Sequence, residues 1–234
     1  MRVKHPRGCP FHHGNGQSFE ALGVRATACR LGSAAMSAKK ILIIEGHPDP
    51  LQRHLCHALA DAYAEGAHES GLEVRRAVLA KLDFPLLQSQ QAWEHGSVPP
   101  SLAKAQADIA WAEHLLLIFP LWLGDMPALV KGFLEQVARP GFAFSAEGSN
   151  PFGQKKLKGR SARVVVTMGM PALAYRWYFR AHSLKSLERN ILGFVGIAPI
   201  HETLIGMVGK PGEGDPQAAR GWLAKLRKLG QAGD

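Results

Sequence analysis

The chain has 234 residues, 46% of them hydrophobic, enough for one α/β domain with its own core. No apolar stretch reaches the length of a membrane span, and three cysteines cannot make a disulfide framework. Of the formal charge of +9, most sits at one end: residues 1–40 hold seven Lys/Arg and one acid, while the rest hold 21 against 18, so the excess marks a tail and not a nucleic-acid face.

That tail, residues 1–38, shows no sustained periodicity and is rich in Gly, Arg, His and Ser. Cys9, His12 and His13 are too few for a structural zinc site. The segment is Arg-rich and acid-poor, as transit peptides are, but lacks the apolar run of a secretion signal. Met36-Ser37-Ala38-Lys39-Lys40 leads straight into an apolar strand. Residues 1–38 therefore read as a disordered extension, with Met36 as the natural start and 39–234 as the domain.

The first strand, Lys40–Glu45, runs into Gly46-His47-Pro48-Asp49-Pro50 and then a helical pattern beginning near Arg53, with Leu55, Leu59 and Ala62 on one face. Such a strand–turn–helix aims backbone N–H groups at the turn, and the helix N-terminus favours an anion there. Neither a GxGxxG nor a P-loop pattern is present. Cys56 in this helix is either a redox thiol or a buried small hydrophobe. Leu72–Val78 alternates as an edge strand does, Leu82–Trp93 reads as loop, and Ser101–Trp111 is helical after Pro99-Pro100.

Leu115–Phe119 is a fully apolar run, the mark of a buried parallel strand. A Pro120/Trp122/Gly124 turn follows, then an amphipathic segment opened by Pro127, a residue suited to a first helical turn. In open α/β sheets ligands bind outside the carboxyl ends of the strands. A turn there built from Pro, Trp and Gly offers a fixed backbone and a flat apolar wall, suited to a planar aromatic cofactor. Arg163–Met168 is a further strand ending in Gly169-Met170-Pro171, Leu184–Phe194 is helical, and Ala198–Ile205 is a fifth strand. The last helix has Asp215 as N-cap, Pro216 at its first position and Gly230 just past its end. Alternating strands and helices imply a parallel sheet in a single domain.

Three segments in this order and spacing carry a resemblance: Gly46-His47-Pro48 after the first strand, Phe119-Pro120-Leu121-Trp122 through Pro127–Phe133, and Arg139-Pro140-Gly141-Phe142-Ala143-Phe144. Over roughly residues 40–206 the chain resembles the flavodoxin-like NAD(P)H dehydrogenase (quinone) family. The resemblance implies a doubly wound five-stranded parallel sheet, a bound FAD or FMN, and NADH or NADPH as co-substrate. It also implies a homodimer whose partner subunit helps complete the pocket, and a quinone, nitroaromatic or azo compound as acceptor, while the sparse cysteines suit a reducing cytoplasm. Backbone N–H groups of Leu121, Trp122 and Leu123 would bond the polar edge of the flavin ring, Pro120 would fix the turn and Gly124 would allow close approach. Thr167, Gly169 and Met170 would border the ring on its other side. His47, Arg53 and His54 would meet the phosphate, although His47 also reads as a turn histidine bonded to backbone.

The family usually places Ser or Thr, then Asn, near the positions of Arg53 and Cys56. Arg53 either replaces them with a charge-assisted bond or points to solvent. Tyr175 or Tyr178, with His182, could serve a developing oxyanion as proton partners, or form an aromatic cluster at a dimer interface. Two other functions stand beside hydride transfer. One is an ancillary flavin-binding regulatory subunit of a potassium-efflux system. The other is a zinc-dependent deacetylase, for which His47 and Asp49 alone supply too few ligands.

Overall fold

The computed structural model describes residues 38–145, 154–209 and 215–234. The expectations for the amino-terminal extension, including Cys9, His12, His13 and the start at Met36, lie outside the described residues. Five strands form one parallel sheet: β1 (Lys40–Glu45), β2 (Glu73–Val78), β3 (His114–Pro120), β6 (Ser161–Thr167) and β7 (Ile200–Ile205), in the order β2-β1-β3-β6-β7. This is the doubly wound arrangement expected from the sequence. The order reverses between β1 and β3, so the crevice at their carboxyl ends is where such a sheet binds ligands.

Alternation along the strands divides the core between two faces. Ile41, Ile43, Leu116, Ile118, Val165 and Ile205 pack under α1 (Leu55–Glu69) and α8 (Pro216–Ala232). Leu42, Ile44, Leu115, Leu117, Phe119, Val164 and Val166 pack under α3 (Pro100–Trp111) and α4 (Ala128–Val137). The latter face is completed by α5 (Ala172–Trp177) and by a run in which α6 (His182–Ser186) passes through π-helical Leu187–Leu192 into α7 (Gly193–Val195). Every residue of β3 is buried, whereas the edge strands β2 and β7 are only partly covered.

The structure corrects three local expectations. The first helix begins at Leu55, two residues after Arg53. The stretch expected as loop contains α2 (Gln90–His95), because the Ser89 hydroxyl accepts from Ala92 N at 3.1 Å. The buried Arg139 holds the other end, donating to Ala92 O at 2.5 Å and Gly96 O at 3.0 Å. The last helix runs past Gly230 to Ala232 and ends on Gly233, whose φ of 68° is the left-handed conformation that terminates helices. Gly230 instead permits a close approach. A Cβ there would lie 2.0 Å from Tyr63 O, and one at Gly66 would lie 2.0 Å from Arg227 O, so α1 and α8 meet backbone to backbone. A two-residue ladder of β4 (Phe144–Ser145) on β5 (Gln154–Lys155) is too short to leave a periodic signal.

At the amino ends of the strands Arg163 is buried and ion-paired to Asp234 at 2.7 Å, and its NH1 donates to Thr203 Oγ1 at 2.9 Å. Lys39 Nζ donates to Gly233 O at 2.7 Å, so the start of β1 and the end of α8 touch. His114 is buried there beside Ser161 Oγ at 2.7 Å, and burial pushes its imidazole down to about 4.

Candidate functional site

A cavity of about 660 Å³ opens at the carboxyl ends of β1, β3, β6 and β7, against the N-terminal ends of α1 and α8. Of the residues assigned to the cofactor from sequence, His47, Arg53, His54, Pro120, Leu121, Trp122, Thr167 and Gly169 line it. Leu123, Gly124 and Met170 do not.

The turn after β3 explains the difference. Trp122 N donates to Asp125 O at 2.8 Å and Asp125 N donates back to Trp122 O at 3.0 Å. Leu123 and Gly124 between them have φ of 49° and 83°, the signature of a type I′ turn. Gly124 is needed for that conformation and not for closeness, since a Cβ there would meet nothing within 4 Å. Leu123 projects fully into solvent, with a relative exposure of 107%. Leu121 N is likewise taken, by Thr167 O at 2.7 Å. Of the three N–H groups expected to meet a ring edge, those of Leu121 and Trp122 are spent on the fold. That of Leu123 has no backbone partner among the described residues.

Across the cavity, Thr167 Oγ1 lies 3.2 Å from Cys56 Sγ, both buried. Burial pushes the Cys56 thiol up to about 12, so it remains a protonated, inert group, and of its two sequence readings the small buried hydrophobe fits. Met170 packs against the core, and its carbonyl accepts from Met207 N at 3.1 Å. That bond reveals a wall the sequence reasoning missed: the chain leaving β7, from Ile205 to Gly209, with Asp215, Pro216 and Trp222 of α8. The Asp-Pro helix start was legible as a cap, but no pattern ties a cap to a cavity.

The loop after β1 is built from histidines. His47 is buried, and its Nδ1 accepts from Asp49 N at 3.1 Å, so the proton of the neutral ring sits on Nε2. Burial, then the neighbouring His54 and His57, hold His47 down at about 4. His54 stacks on it, with ring centroids 3.8 Å apart and planes 18° from parallel. His54 Nε2 lies 2.8 Å from Asp49 Oδ2, and the bond from His54 holds the Asp49 carboxyl down at about 2. The same carboxylate accepts from Leu51 N at 2.8 Å. Asp49 is thus occupied by His54 and by backbone, so it does not converge with His47 on an ion. Arg53 is turned outward, 80% exposed, with its guanidinium 2.7 Å from Asp61.

Acid should destabilise this fold. His47 and His114 both have folded values near 4, below the ordinary imidazole value of about 6.5. Their neutral burial adds nothing unfavourable above that ordinary value. As pH falls from 6.5 towards 4 the unfolded chain takes up protons that the folded chain does not, and stability is lost. The expected result is a melting temperature that falls across this window, by less in His114→Asn. Equal slopes in the two proteins would exclude His114 as a source.

Tyr175, Tyr178 and His182 do not join the cavity of their own chain. Tyr175 is buried with its hydroxyl 2.6 Å from Ser183 Oγ, and it accepts from Leu184 N at 3.3 Å. Tyr178 is 81% exposed, edge-on to Phe179, and His182 is exposed at the start of α6. Leu173, Trp177 and Phe179 are exposed beside Tyr178, so this segment leaves four large apolar side chains uncovered.

Residues 39–228 match the family model described as flavodoxin-like fold. An uncharacterised NAD(P)H oxidoreductase of Haemophilus influenzae is 28% identical over 169 residues, covering 70% of this chain and 82% of its own. The FMN-dependent NADH:quinone oxidoreductase of Ruegeria pomeroyi is 29% identical over 129 residues, 49% of this chain and 63% of that protein. Among solved structures, the NAD(P)H:quinone oxidoreductase from Methanothermobacter marburgensis superposes with a TM-score of 0.70 at 22% identity, over 85% of this chain and all of that one.

Proposed function

We propose that this chain, which belongs to the flavodoxin-like fold family, carries hydride from NADH or NADPH through a bound flavin to a quinone-like acceptor. The observation that carries the reading is the cavity itself: it lies at the switch point of the sheet and is walled by flat apolar groups and rimmed by backbone. Its residues fit a flavin. The Nε2–H of buried His47 has no hydrogen-bond partner among the described residues, and Leu55 and Cys56 at the start of α1 have N–H groups with no backbone partner among them. These suit a phosphate.

Pro120 to Trp122 and Thr167 to Gly169 would face the ring, and the N–H of Leu123 is available for its polar edge. A flavin supplies the two-electron chemistry, and the protein positions it and excludes water. Half-exposed Trp122 at the mouth leaves a flat surface over which nicotinamide and acceptor could stack in turn. Relatives named for NAD(P)H and quinone support the donor and the acceptor class, and one named for FMN supports the cofactor.

The exposed Leu173, Trp177, Tyr178 and Phe179 support a homodimer, in which Tyr178 and His182 of one copy could serve the pocket of the other. A buried, reduced thiol at Cys56 suits the cytoplasm. No helix among the described residues is long and apolar enough to cross a membrane.

The test is direct. The purified protein is expected to be yellow, to release FMN or FAD on denaturation, and to oxidise NADH or NADPH with a quinone. A colourless protein that takes up neither added flavin ends this reading.

A further inference from the structure

Arg53, the guanidinium that lines the cavity among the described residues, has its charge engaged elsewhere. Arg53 faces solvent and pairs with Asp61, which also holds Arg76 NH1 at 2.7 Å. At the β1–α1 end of the cavity stand a set of neutral donors and the imidazole of His54. The neutral donors are the Nε2–H of buried His47 and the N–H groups of Leu55 and Cys56. The imidazole is His54, the N-cap residue of α1. It makes no capping bond, and its Nε2 is held by Asp49 Oδ2 at 2.8 Å. That leaves Nδ1 as its ring nitrogen for the cavity it lines. A phosphate placed there would put His54 between two anions, an arrangement that favours the imidazolium.

We infer that the Asp49–His54 pair makes retention of the cofactor proton-linked: His54 takes up a proton as the phosphate monoester docks, and gives it up when the cofactor leaves. This deepens the flavin reading and rests on it. In the uptake, Nδ1 gains a proton from solvent and donates it as a hydrogen bond to a phosphate oxygen, while Nε2–H remains on Asp49. The cofactor would then be held more weakly as pH rises, whereas a permanent guanidinium would give a flat profile above the second ionisation of the phosphate.

Among the described residues the surroundings leave few rivals for such a proton. Asp49 is held ionised and His47 neutral, and the Cys56 thiol keeps its proton. Glu45 on β1 is bound by Arg76 of β2 at 2.5 Å and by His57 Nδ1 at 2.9 Å. His57 Nε2 is 3.2 Å from Asp49 O, and Asp215 of α8 lines the far side of the cavity. Carboxylates and guanidiniums keep their charge from pH 7 to 9, so His57 is the other group to control.

The experiment titrates the full chain with FMN and with riboflavin, which carries the same ring without a phosphate, by calorimetry from pH 7 to 9. This range lies above the second ionisation of a phosphate monoester, at about 6. The FMN Kd is expected to rise with pH, by up to about tenfold per unit at the limit of full linkage, while riboflavin stays flat. In His54→Gln the FMN slope should vanish, and in His57→Gln it should persist. Binding heats measured in two buffers of different ionisation enthalpy give the proton count on the wild type, so the result does not depend on the variant folding. Net proton uptake on FMN binding is expected, and none on riboflavin binding. A flat FMN profile in the wild type, or a slope that survives in His54→Gln, overturns the proton linkage and leaves the flavin reading standing. Binding of FAD without FMN overturns the proton linkage alone, and failure of FMN, FAD and riboflavin to bind at any pH overturns both.

Discussion

Gly230→Val is expected to lower the melting temperature by roughly 10 °C. Valine's Cβ would start 2.0 Å from Tyr63 O and 3.0 Å from Ala67 N, both backbone atoms of α1 that no rotamer change can move. The two helices would have to separate. Leu226, Trp222, Leu223 and Leu229 of α8 would lose their seats against Ile41, Leu116 and Val165. Overpacking a tight contact costs about 1–3 kcal/mol, and loss of the apolar contact adds to it. About 3 kcal/mol converts to roughly 10 °C in a domain of this size. Gly221 in the same helix provides the control: a Cβ there meets nothing within 4 Å, so Gly221→Ala should hold or raise the melting temperature. If Gly230→Val melts within a degree or two of wild type, the crossing is looser than described.

Gly206→Val should empty the cavity of flavin while leaving the sheet intact. Gly206 is the first residue after β7, and a Cβ would fall 2.4 Å from Ala172 N and 2.7 Å from Met170 O. It would drive away the segment from Met168 to Ala172, whose first residues form one side of the proposed ring slot. The bonds from Met207 N to Met170 O and from Val208 N to Met168 O would be strained with it. Flavin affinity is expected to fall at least about tenfold, which is 1.4 kcal/mol, and NAD(P)H oxidation with it. Far-ultraviolet circular dichroism should stay close to wild type, because β6 and β7 keep their register. Unchanged flavin content would show that this wall does not border the cofactor.

The parts legible in the sequence were those in which a periodic pattern and the sheet agree. β3 reads as buried because it is apolar throughout, and it lies at the centre of the sheet with every residue covered. β2 reads as an edge from its alternation, and it is one. What escaped was set by contacts between distant segments. Gly230 looked like a helix terminator because glycine's local meaning is conformational. Its actual constraint comes from a carbonyl more than 160 residues earlier in the chain. The same holds for the turn after β3. Pro, Trp and Gly announced a turn, but that two of its N–H groups are consumed depends on the hand of the turn and on the carbonyl of Thr167. At the histidine loop, residue types pointed to an anion site. The division of labour, with Arg53 turned to Asp61 and His54 turned to Asp49, is a matter of side-chain direction that spacing does not encode.

The bond between Lys39 and the Gly233 carbonyl bears on how this fold can be rewired. The start of the sheet and the close of the last helix lie side by side at the face opposite the cavity, where Arg163 also fastens Asp234. A few flexible residues would therefore bridge residue 234 to residue 38 without crossing the ligand pocket. Fresh ends could be opened at Ser70-Gly71, an exposed turn between α1 and β2 where Gly71 has open space around it. Such a circular permutant would retain all five strands and both helix layers.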